Sequence, residues 1–149
     1  MSKTMSLRLS EQQVTEVQRW GRRHHQRSIS ATLQLLLEEK LREEKYPYIS
    51  FQDSSAGRQA CLMGTGLAVW EIMMVARGLG GDILKTAKHL EIPEMLVQAA
   101  FTYATDFADE IDAVLMDQET TDFEALKRLL PNLERITVPD ESPGRLQAT

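Results

Sequence analysis

Met5, Leu7 and Leu9 alternate with Thr4, Ser6 and Arg8 near the start of the chain. A period of two puts the first three on one face and the other three on the opposite face, as in a half-buried strand. The period then lengthens. Ser10 stands where a helix needs an N-cap, and Gln13 three residues on completes a capping box. Val14, Val17 and Trp20 form the apolar stripe of a helix that Gly21 is expected to end. A second helix is expected from Ser28, with Ile29, Leu33, Leu36, Leu37 and Leu41 on one face. Its far end, EEKLREEK, is solvated and holds pairs one turn apart such as Glu38–Arg42. Pro47 stops it.

The pattern changes again after residue 45. Tyr48, Ile49 and Phe51 predict a short strand, DSSAG a turn, and RQACLMG a returning strand, together a hairpin. From Val69 the chain reads as helical through VWEIMMVARG, with the break at RGLGG. In DILKTAKHL, Ile83, Leu84, Ala87 and Leu90 share a face. Pro93 opens a further helix in its first turn, striped by Leu96, Ala99, Ala100 and Tyr103. Asp106 is expected to cap another, with Phe107, Ile111, Val114 and Leu115 inward. A last short helix carries Phe123, Leu126, Leu129 and Leu130 before Pro131. The expected fold is therefore mainly α, with a β-hairpin between two helical segments. Its predicted divisions are a head at 1–45, a helical body at 46–131 and a flexible C-terminal tail at 132–149.

The head is too short to bury its own Leu and Trp side chains, and one isolated strand leaves its backbone groups unpaired. A homodimer, or a higher even oligomer, answers both problems. Two copies of TMSLRL can pair antiparallel into a ribbon with Thr4, Ser6 and Arg8 outward. Such a ribbon fits the major groove of DNA, where Arg reads guanine edges and Ser or Thr contacts several bases.

Charge sharpens this picture. The 149 residues carry a net charge of −5. Residues 1–45 hold nine Lys or Arg against six Glu, a net of +3, which leaves −8 for the remainder. A basic head on an acidic body confines polyanion binding to the head. At 42% hydrophobic and 26% charged, the composition is that of a soluble globular protein. The lone Cys61 excludes a disulfide framework and a four-cysteine zinc site, and fits a reducing cytoplasm. No apolar run is long enough for a membrane span, and MSKTMSLRLS lacks an apolar core of signal-peptide length.

Residues 4–45, with their strand MSLRLS, first helix and RSIS cap, resemble the ribbon-helix-helix DNA-binding family. The resemblance implies a dimeric β-ribbon with Thr4, Ser6 and Arg8 on base edges. It also implies that the start of the second helix, at Ser28, Ile29 and Ser30, holds a DNA phosphate. Free N–H groups and the positive dipole end make such a place an anion site on physical grounds. Arg22, Arg23 and Arg27 add charge beside it. Gln26 stands where the family has a glycine, which puts the turn geometry in question. A plain dimerisation module without DNA is the alternative.

Residues 48–116 resemble the family filed as domain of unknown function 433. The resemblance rests on Gly57, Arg58 and Ala60, on Val69-Trp70-Glu71, on the Gly-Gly break, and on Tyr103 with Asp109-Glu110-Ile111. It implies a helical domain of helix-turn-helix type, found in antitoxins beside toxins of nuclease-like PIN fold. A second DNA reader is disfavoured here, because residues 93–104 offer Glu94, Gln98 and Thr102 but no Lys or Arg. In the tail, residues 135–138 can add as an edge strand to a partner. Antitoxins of this kind bind a toxin with a C-terminal segment, which points to Arg135, Ile136, Val138 and Arg145; an end with no role is the alternative.

Catalysis has little support. His24 and His25 are adjacent and chelate one metal poorly from a helix, and His89 reads as a surface residue. Asp109, Glu110 and Asp112 read as a solvated face. There is no nucleophile elbow, phosphate loop or zinc spacing. The expectation is a non-enzyme without cofactor or metal: a cytoplasmic antitoxin that neutralises a toxin, a ribonuclease of PIN-like type, and autorepresses transcription by binding operator DNA as a dimer. The alternative is a stand-alone ribbon-helix-helix regulator whose second domain oligomerises or senses a ligand.

Overall fold

The structure is a computed structural model, and it describes residues 1–54, 57–129 and 134. Among these the fold is mainly helical, with one small sheet. The elements run α1 (Glu11–Arg23), α2 (Ile29–Lys45), β1 (Ile49–Ser54), β2 (Gly57–Leu62), α3 (Val69–Gly78), α4 (Ile83–Leu90), α5 (Glu94–Asp106) and α6 (Ala108–Leu129). Met1–Leu115 make one compact unit, and a second begins at Met116.

The capping signals of the first two helices act as the sequence predicts. Ser10 Oγ accepts from the Gln13 N–H at 3.2 Å, and the Gln13 side chain accepts from the Ser10 N–H at 3.0 Å. Ser28 caps α2 by accepting from the Ala31 N–H at 3.1 Å. Asp82, which the sequence pattern did not single out, caps α4 through the Lys85 N–H at 2.9 Å. β1 and β2 pair antiparallel with Ile49 opposite Leu62 and Ser54 opposite Gly57, the expected hairpin. Its inner face carries Ile49, Ala60 and Leu62 into a core completed by Val69 and Ile72 of α3 and by Val97, Ala100 and Tyr103 of α5.

Several expectations need correction. Residues 1–10 carry no strand, and Met5 and Leu7 are exposed; in a single chain nothing pairs with their backbone. Gly21 does not end α1. It is buried inside the helix, and α1 turns two residues later. Asp106 does not cap α6; it is the last residue of α5, and its carboxylate accepts from the Tyr46 hydroxyl instead. Pro93 is the N-cap of α5 rather than a residue of its first turn. The separate last helix is absent among the described residues, because α6 runs unbroken from Ala108 to Leu129 with no glycine or proline inside it. Leu84, assigned to an inward stripe, is exposed, while Thr86 and Ala87 are buried. Leu37 and Leu41 are also exposed, so part of the apolar face of α2 lies uncovered.

Candidate nucleic-acid interface

The corner between α1 and α2 is built by two helix ends. At the end of α1, His24 is the C-cap and His25 adopts a left-handed φ of 58°. The Gln26 N–H then donates to the Gly21 carbonyl at 2.8 Å, and the His25 N–H to the Arg22 carbonyl at 3.4 Å. This pair of bonds is a Schellman motif, which glycine usually completes. The left-handed position is thus His25, one residue before the Gln26 at which the sequence raised the question of a missing glycine.

The chain next extends through Ser28, at φ −149°, and starts α2. Gly21 lets the two helices approach closely, since a Cβ placed there would lie 2.5 Å from Thr32 Oγ1. That hydroxyl is held by the Ser28 carbonyl at 2.8 Å. The outcome is a concavity of about 280 Å³ whose lining includes Gln18, Arg22, Arg27, Ser28 and Ile29. Four of the residues expected to hold phosphate therefore meet in one place, below the open end of α2. Two arginines, Arg22 and Arg27, thus share the hollow with Ser28 and Ile29 at the start of α2. Arg23 and Ser30 are exposed but do not line it, and neither do Thr4, Ser6 and Arg8. Arg135, Ile136, Val138 and Arg145 lie outside the described residues.

The histidines divide. His25 is exposed. His24 turns inward, with its ring 4.0 Å from that of Trp20 and its Nδ1 paired with Asp53 on β1. Asp53 also meets Arg58 at 3.4 Å, and Arg58 grips the buried Glu39 of α2 through two bonds of 2.6 and 2.9 Å. The Arg58 guanidinium lies 5.3 Å from the Trp20 ring centre. Burial alone would raise the Asp53 carboxyl, but the bond from His24 and the charges of His24 and Arg58 outweigh it and hold the group below its ordinary range. Arg58 is raised, first by its bond to Glu39 and against the effect of burial.

A second set of links ties α2 to the helices behind the hairpin. Arg42 donates to the Tyr103 hydroxyl at 2.7 Å and to Glu110 at 2.8 Å, pairs with Glu38, and stacks 3.9 Å over the Phe107 ring. Burial, followed by the charge of Glu110, pushes the Tyr103 phenol up to about 12 despite the opposing bond from Arg42. The Glu38–Arg42 pair was expected from its one-turn spacing, but the links to Tyr103 and Glu110, 61 and 68 positions away, leave no periodic trace in the sequence. Of the carboxylates read as a solvated face, Glu110 binds Arg42, Asp112 pairs with Arg77, and Asp109 is exposed.

Among the described residues no group of three or more His, Cys, Asp and Glu is placed to hold a metal ion. No helix among them is long and apolar enough to cross a membrane. Comparison with protein-family models, with curated proteins and with solved structures finds no match to the chain.

Proposed function

We propose that this chain is an antitoxin that also represses its own transcription. Two heads pair through residues 4–9 into a β-ribbon, whose Thr4, Ser6 and Arg8 read base edges. Arg22, Arg27 and the start of α2 clamp the flanking phosphate, with Arg23 adding charge nearby. The acidic body and the tail, through Arg135, Ile136, Val138 and Arg145, bind and silence a toxin of ribonuclease type. A nuclease must present positive charge to its own substrate, and an acidic partner can occupy that surface.

The observation that carries the DNA half is the concavity at the α1–α2 corner, where Arg22, Arg27, Ser28 and Ile29 meet. Uncovered Met5, Leu7, Leu37 and Leu41 supply the apolar surface that pairing would bury. Two experiments test the two halves. Expressing the adjacent open reading frame with and without this chain should give growth arrest only without it; arrest in both cultures, or in neither, defeats the antitoxin reading. In a mobility shift on the upstream DNA, Arg8→Ala should lose specificity yet keep salt-sensitive binding. Wild-type behaviour of that variant would defeat the ribbon.

A second reading, a stand-alone regulator with a ligand-sensing body, is favoured by an apolar cleft of about 350 Å³ between the end of α2 and α5. Copurification without any partner, together with tight operator binding, would support it.

A further inference from the structure

The cleft between the end of α2 and α5 is lined on its apolar side by Tyr46, Pro47, Tyr48, Met95 and Ala99. Its volume of about 350 Å³ lies within the range of small-molecule sites. Three features give it a chemical preference. Tyr48 adopts a φ of 68°, a strained conformation for a large aromatic residue and one that structures keep where the side chain is needed. Its hydroxyl lies 3.3 Å from Met95 Sδ, while both residues stay exposed, so ring and thioether form a preset wall.

The second feature is the charge at the end of the cleft. Asp106 is oriented by the Tyr46 hydroxyl at the C-terminal end of α5, and the last turn of that helix has no basic residue. Carboxylate and dipole both favour a cation there. The third is a cation already seated. Lys45 Nζ lies 3.8 Å from Asp106 and 5.1 Å from the Tyr46 ring centre, an arrangement that attracts ammonium groups to aromatic faces. The Lys45 side chain is 70% exposed, so it can swing out at little cost.

We propose that this cleft binds a small organic ammonium ion with an aryl or alkyl body. The body lies against Tyr48, Met95 and Ala99, and the ammonium takes the place of Lys45 against Asp106. This inference deepens the ligand-sensing reading, but its test needs no DNA, so failure here and failure of operator binding are separate results.

The full chain, labelled at its methionine methyl groups, is titrated with phenethylammonium chloride at neutral pH and followed by NMR. The Met95 methyl should shift and saturate, while phenylacetate and 2-phenylethanol should bind many-fold more weakly. Lys45→Ala should tighten binding several-fold, because it removes the internal competitor. Asp106→Asn should loosen it about tenfold, a loss of about 1.4 kcal/mol. Should Asp106→Asn fail to fold by circular dichroism, Lys45→Ala decides the matter alone. The proposal is overturned if Met95 does not respond, if phenylacetate binds as well, or if Lys45→Ala leaves the affinity unchanged or lower.

Discussion

His25 shows how much one side chain can cost. The Schellman bonds at the end of α1 need a residue with positive φ, and His25 supplies it at 58°. Left-handed backbone costs an L-residue roughly 1–2 kcal/mol, and glycine avoids the clash at a smaller entropic penalty. His25→Gly should therefore raise stability by about 0.5–1 kcal/mol, read as a higher thermal midpoint; a lower midpoint would mean that the His25 side chain makes up for the strain. Tyr103 gives a pH prediction. Its folded pKa, about 12, stands above the ordinary 10.0, so the neutral phenol is favoured by folding. That contribution is fully present below pH 10 and is lost as pH rises towards 12. Denaturant midpoints of the wild type should fall across this window more steeply than those of Tyr103→Phe, and parallel curves would remove Tyr103 as the cause.

At the scale of elements, the α1–α2 corner depends on a missing side chain. Gly21 sits against Thr32, which is 1% exposed, and an added Cβ would overlap its hydroxyl. Gly21→Ala should lower stability by about 1–3 kcal/mol, and adding Thr32→Ala should recover part of that loss. An additive double variant would show that the contact is not the cause. The hairpin hangs on the Glu39–Arg58 pair in the same way. Glu39 is 6% exposed, and its removal takes both short bonds from the partly buried Arg58 guanidinium and leaves it the longer contact to Asp53. Glu39→Ala should cost about 3–5 kcal/mol in urea unfolding, well above the loss of an exposed pair such as Lys40–Glu44, whose charges stay in water. The elements themselves were legible because their signals are local: Ser10 with Gln13, Ser28 before an apolar period, and the two short apolar runs of the hairpin. Their ends were less so. Gly21 reads as a helix stop when only its backbone is considered, but packing on Thr32 uses it in the interior. Asp106 reads as a cap until Tyr46, 60 positions away, claims its carboxylate.

For the whole molecule, the hollow at the α1–α2 corner was readable because Arg22, Arg27, Ser28 and Ile29 are neighbours in sequence as well as in space. The strand proposed to read bases was legible only as a pattern, since a strand without a partner does not form. Whether it forms turns on self-association. Leu37 and Leu41 are each 62% exposed one turn apart on α2, and Met5 and Leu7 are uncovered near the chain start. Burying a Leu side chain contributes about 1.5–3 kcal/mol, so two copies gain from covering all four leucines of the α2 faces. Sedimentation of the wild type should give an even oligomer at micromolar concentration. Replacing both residues, Leu37→Glu with Leu41→Glu, should give a monomer that keeps its helical circular dichroism, because neither side chain belongs to the core. The same variant should lose operator binding by a factor of about 100 or more, since each 1.4 kcal/mol of lost pairing is tenfold. A double variant that still sediments as the wild type would place the self-association surface elsewhere, and a monomeric variant that binds its operator undiminished would refute the paired ribbon.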